Sequence, residues 1–159
     1  MCFTLNFFNK VNNHNKIKRG VFMSKKGIEA EAKKLEEYYA QFPDWYWKYG
    51  LHDAVILSVS ELQLAPDYKE KPLKYNCLEI ELDCKNALYE QNIKKIRLYN
   101  YKIKTPNVDI NSIDKPWWIG DTIKELENKH YLLEVEIESA KGSRKNFIVE
   151  FEIPEIERK

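Results

Sequence analysis

The sequence predicts an α+β fold in which one N-terminal helix packs on a mostly antiparallel meander sheet of five or more strands. Three observations predict it. Apolar residues recur at helical spacing in one stretch, Ile28 to Phe42. Later stretches carry strand character, most of them alternating apolar and polar residues with a period of two. Hairpin-length connections then favour a meander. At 159 residues, 43% hydrophobic and 13% aromatic, the chain has enough apolar surface for one core.

The first 22 residues differ from the rest, carrying four basic side chains (Lys10, Lys16, Lys18, Arg19), no acid and many Asn. Asn6 interrupts their only apolar run and no cleavage site follows, so a signal peptide is not expected. Lys18 to Met23 can be encoded as AAA AGA GGA GTG TTT ATG, which reads as a purine-rich ribosome-binding site ahead of a start codon. The expectation is a non-native, disordered leader over 1–22 and one globular domain over 23–159. Intact mass from the native host checks it. Without those four, 22 basic residues face 25 acids, and the net charge moves from +1 to −3.

Ser24 is the expected N-cap of the helix, whose apolar positions are Ile28, Ala32, Leu35, Tyr38, Tyr39 and Phe42. Pro43 ends it. Trp45 to Tyr49 then form an aromatic knot, with room for a second short helical turn before Gly50. Strand one follows from Ala54, with Val55, Leu57 and Val59 on one face. Pro66 to Lys74 is a loop. Strand two places Leu78, Ile80, Leu82 and Cys84 opposite Glu79, Glu81 and Asp83. Strand three, about Ile93 to Lys104, slips register near Asn100, which predicts a bulge or bend. Residues 105–129 are the least legible, with Trp117-Trp118 and then a short helix at Asp121 to Asn128. Strands four (Tyr131 to Glu138) and five (Phe147 to Ile153) flank a Lys141-Gly142-Ser143 turn, and Pro154 stops the last.

Catalytic and metal chemistry find little footing. His52-Asp53 invites a metal-phosphohydrolase reading, but after the leader His130 is the only other histidine. The dyad is better read as a structural corner whose side chains hydrogen-bond backbone where strand one begins. Cys77 and Cys84 point to opposite faces of one strand, and no phosphate-binding glycine loop exists. No catalytic, cofactor-binding or metal-ligating residue is therefore assigned, no cofactor is expected, and the chain is read as not an enzyme. With two post-leader cysteines and no apolar run of spanning length, a cytoplasmic, non-membrane protein is expected.

Two features suggest a binding surface. Trp45, Trp47, Trp117 and Trp118 could stay exposed as anchors rather than seal the sheet. Glu134, Glu136, Glu138, Glu150 and Glu152 project from one hairpin with no base among them, a pattern that a basic partner would relieve. Nucleic acid is disfavoured by that sign of charge.

Pro43, Trp45 and the corner His52-Asp53-Ala54-Val55, followed by Leu78-Glu79-Ile80-Glu81-Leu82-Asp83 and the strand from Ile93 to Tyr101, resemble the immunity protein 50 family of bacterial polymorphic-toxin systems. Small uncharacterised bacterial proteins share the same corner. The N-terminal helix and Trp117-Trp118 depart from the pattern. The resemblance implies a non-enzymatic cytoplasmic protein that binds and blocks a cognate toxin; charge complementarity then points to a basic nuclease. The alternative is a small-molecule site, conceivably an enzyme's, lined by Trp45, His52, Asp53 and Trp117.

Overall fold

A computed structural model describes residues 24–47, 50–87 and 92–159. The expected leader and Tyr49 lie outside the described residues. The chain divides into two compact units, one ending at Asp44 and one beginning at Trp45, a boundary inside the single domain expected over 23–159.

The first unit holds α1, Lys25–Tyr39, capped by Ser24, whose hydroxyl accepts from the Gly27 N–H at 3.2 Å. Ile28, Ala32, Leu35 and Tyr39 form its half-buried stripe, and no helix residue is fully buried. Lys33–Glu37 and Lys34–Glu31 pair across its exposed face. The helix stops short of Phe42 because Gln41 and Phe42 donate to carbonyls three residues back, tightening the last turn before Pro43. Tyr38, Tyr39 and Phe42 then stack edge-on or tilted, with centroids 5.2–5.9 Å apart. Among the described residues, no helix is long and apolar enough to cross a membrane.

Among its described residues, the second unit forms strands and one 3-10 turn, Ile110–Ser112. Its strands are β1 (Ala54–Gln63), β2 (Asn76–Asp83), β3 (Ile93–Tyr99), β4 (Lys102–Ile103), β5 (Trp117–Glu125), β6 (Tyr131–Glu138), β7 (Arg144–Phe151) and β8 (Ile153–Arg158). Every pairing is antiparallel, in the order β4-β7-β6-β5-β1-β2-β3-β8. Only Asn100 and Tyr101 separate β3 from β4, and only Glu152 separates β7 from β8. Because β3 pairs with β8 and β4 with β7, the two ends of the order meet, and Glu152 N–H bonds Tyr99 O at 3.0 Å across the kinks. The sheet thereby closes into a ring of two three-stranded meanders, which removes most free edges.

Several expectations need correction. The short helix at Asp121 to Asn128 is instead β5 and its turn: Trp117 to Glu125 pair with β6, and Lys129, at φ +63, closes the hairpin. Cross-strand pairing overrides the weak helical pattern there. Pro154 does not stop the last strand, since β8 runs through it opposite Leu98; a strand paired on one side tolerates a missing N–H. In β1 a bulge between Ile56 and Ser58 expels Leu57, 58% exposed, and returns Val59 to the inward register. The bend near Asn100 is present, with that residue at φ +54.

Inside the ring, Leu78, Ile80, Leu82, Ile96, Leu98, Leu133, Val135, Ile137, Phe147, Val149 and Phe151 are buried. Each such side chain stabilises the fold by roughly 1.5–3 kcal/mol. Residues 104–116 join β4 to β5, which stand on opposite sides of the ring, so the connection passes over one end. Ile110 turns into the core, and the Asn111 amide both accepts from Val59 N–H (2.9 Å) and donates to Val59 O (2.8 Å), capping the β1 edge.

Candidate functional site

The outward face of the β6–β7 hairpin carries Glu134, Glu136, Glu138 and Glu150, put on one side by alternation, while Glu152 sits in the interruption between β7 and β8. They are not without bases. Arg144 starts β7 opposite Glu138 and bonds it at 2.6 Å and Glu136 at 3.0 Å. Lys104, just beyond β4, reaches Glu150 at 2.6 Å, and His130 Nδ1 lies 3.1 Å from the same carboxylate. Lys104 and then His130 pull the Glu150 carboxyl down to about 2. The expectation of a hairpin without a base fails because Arg144 opens β7 and Lys104 reaches Glu150 from outside the strand pair.

Glu134 and Glu152 differ from these three. Glu134 accepts from the Asn146 amide at 3.0 Å and Glu152 from the Asn100 amide at 2.7 Å. An amide satisfies a lone pair without cancelling charge. Along β6 three carboxylates, Glu134, Glu136 and Glu138, thus share one arginine, Arg144, whereas Glu150 has Lys104 in contact and Lys102 as its cross-strand partner.

The outward face of β2, β3 and β8 is built otherwise. Arg97 spends its whole guanidinium on Glu79, Glu155 and Glu157, at 2.7–2.8 Å. Lys95 adds a second bond to Glu79, Lys94 one to Glu157, and Lys74 lies 3.9 Å from Glu155. Lys95 and Arg97 together hold the Glu79 carboxyl below its usual range.

The four tryptophans do not share a surface. Trp117 and Trp118 alternate on β5, so Trp117 faces out at 39% exposure while Trp118 is fully buried. Trp47, also fully buried, meets Trp118 edge-on at 5.5 Å. Trp45 is half-buried against Tyr131 (5.1 Å) and Phe151 (5.8 Å). Trp47 and Trp118 are therefore core residues and cannot touch a partner in this structure. Of the residues that the alternative reading puts around a small-molecule site, Trp45 packs on Tyr131 and Phe151, Trp117 faces out, and His52 and Asp53 pair with each other.

A residue that the sequence reading missed organises these rings. A bulge between Trp118 and Gly120 shifts β5 by one residue, so Asp121 lies opposite buried Val135 and points inward. Its carboxylate accepts from the Tyr46 hydroxyl, from Trp47 Nε1 at 3.0 Å and from Trp118 Nε1 at 2.7 Å. Burial pushes the Asp121 carboxyl up, with the three donors opposing. Strict alternation would have placed Asp121 outside; only a glycine beside it hinted at a bulge.

The His52-Asp53 corner is held by backbone rather than by side chains. Asp53 adopts φ +71 and donates its N–H to Trp118 O at 3.0 Å, and Ala54 donates to Leu51 O. The two side chains pair with each other, Nδ1 to Oδ1 at 3.1 Å, each 46% exposed. Buried Cys77 has its thiol pushed up to about 11, chiefly by burial and then by Glu79, which keeps it protonated and unreactive. Among the described residues no group of three or more His, Cys, Asp or Glu side chains is placed to hold a metal ion. No family model, curated protein or solved structure matches the chain, so the β6–β7 face must be interpreted from its own geometry.

Proposed function

We propose that this chain is a non-enzymatic, cytoplasmic protein-binding module of the immunity or inhibitor kind, presenting the β6–β7 face to a basic protein such as a nuclease toxin. The observation that carries this reading is the row of three carboxylates on β6, Glu134, Glu136 and Glu138, that shares one arginine on a hairpin with a fixed backbone. Internal partners hold the glutamates in place, so little side-chain freedom remains to be lost on association. The unbalanced charge steers a cationic partner toward them. The resemblance around Pro43 to Tyr101 supports the same class of protein.

The test uses the full chain as bait in an extract of its host, with retained proteins identified and their affinity measured against salt. A basic protein whose association slows at least tenfold between about 0.05 and about 0.5 M salt is expected. Recovery of acidic or neutral partners only, or a salt-independent association, would overturn the reading.

A further inference from the structure

Trp45, Tyr46 and Trp47 belong to no helix or strand, yet Tyr46 and Trp47 are buried in the second unit. The strap they form has one polar anchor: Tyr46 and Trp47 supply two of the three hydrogen bonds to Asp121. Apolar burial favours its docked position, with Trp47 against Trp118 and Trp45 against Tyr131 and Phe151. Two polar costs oppose it. Trp45 Nε1 is buried without a hydrogen-bond partner among the described residues, a defect worth roughly a factor of ten in an equilibrium. Asp121 is the second, a half-buried carboxylate whose charge loses water around it.

We propose that residues 45–47 are a separable strap that docks and undocks at Asp121 while the ring of strands stays folded. The β5–β6 ladder holds Asp121 whether or not the strap is present, because its backbone pairs with Val135. Undocking would expose the Trp45 and Trp47 rings as an apolar contact surface that the docked structure hides.

The strap's position depends on protons. The groups facing Asp121 are the Tyr46 hydroxyl and Trp47 indole from the strap, the Trp118 indole from β5 and apolar Val135 from β6. In the docked chain burial holds the Asp121 pKa above its ordinary 3.8, against the pull of the three donors. Undocking returns the carboxylate to water, so docking is most favourable below that value and weakens as pH rises through the raised one.

The experiment is hydrogen exchange of the Trp47 indole N–H by NMR on the full chain, with the backbone amides of Leu133 and Val135 as reporters of global opening. The Trp47 indole should exchange at least tenfold faster than those amides after correction for intrinsic rates, with its opening constant rising with pH above 3.8. Asp121→Asn keeps an acceptor for the indoles and should flatten that pH dependence. A benzothiophene analogue of Trp45, the same shape without the N–H, should slow Trp47 exchange about fivefold. Exchange of the Trp47 indole in step with the core amides would overturn the proposal, as would an analogue that leaves it unchanged or speeds it.

Discussion

On the β2–β3–β8 side of the ring, Glu79, Glu155 and Glu157 meet Arg97, Lys95, Lys94 and Lys74; along β6, Glu134, Glu136 and Glu138 share Arg144 alone. Both faces come from the same two-residue alternation of apolar and acidic positions. The difference lies in the neighbouring strand. β3 places Lys95 and Arg97 directly beside Glu81 and Glu79, and β8 brings its acids to the other side of the same arginine. β6 and β7 both carry acids outward, so the hairpin must take its cations from its own end and from β4. A face that neutralises itself serves the fold. One that stays charged costs stability that an oppositely charged partner can offset.

The comparison breaks first at Arg97. Arg97→Met leaves three glutamates facing one another with a side-chain exposure of 20–44%. It should cost about 1–2 kcal/mol, measured by urea unfolding, since solvent screens part of the repulsion. A loss too small to measure would mean that the network is ornamental.

Acid sharpens the contrast next. The Glu150 carboxyl drops from an ordinary 4.5 to about 2 in the folded chain. A depressed folded value means stability that is complete above 4.5 and is lost as pH falls toward 2. Glu150→Gln should flatten the unfolding midpoint across that window, falling below the parent at pH 7 and converging with it as pH drops toward 2. A slope identical to that of the parent would place the acid sensitivity elsewhere.

Arg144 gives the smallest effect. Its side chain is 57% exposed where it bridges Glu136 and Glu138, so Arg144→Met should leave the melting temperature within the scatter of ordinary surface substitutions. It should also quicken association with a basic partner by enlarging the negative excess. Slower association would argue that Arg144 itself touches the partner.

What was legible in the sequence follows from how locally each feature is encoded. The strands around Leu78 to Asp83, Tyr131 to Glu138 and Phe147 to Phe151 could be read because each has one buried face and one charged face. The bend at Asn100 showed as a change of register. β5 could not be read, because its pairing with β6 and the bulge after Trp118 are decided across the sheet. For the same reason Asp121 stays hidden and Trp45, Trp47 and Trp118 can be read either as surface anchors or as core: the bulge decides which way Asp121 points, and Trp47 finds its acceptor 74 residues away. Lys104 and His130 likewise escaped notice beside Glu150, being 46 and 20 residues away in the chain. The closure of the sheet was hidden in the two short interruptions at Asn100 and Glu152.

The central claim is that the location of charge, and not its total, makes the β6–β7 face a binding surface. Two variants of equal charge change decide it: Glu134→Lys with Glu136→Lys on that face, and Glu81→Lys with Asp83→Lys on the outward side of β2. Association rates with the basic protein captured from the host are measured for both and for the parent. The β6–β7 pair should slow association at least tenfold and the β2 pair by no more than twofold or threefold. Equal losses from the two variants, or none from either, would contradict the claim.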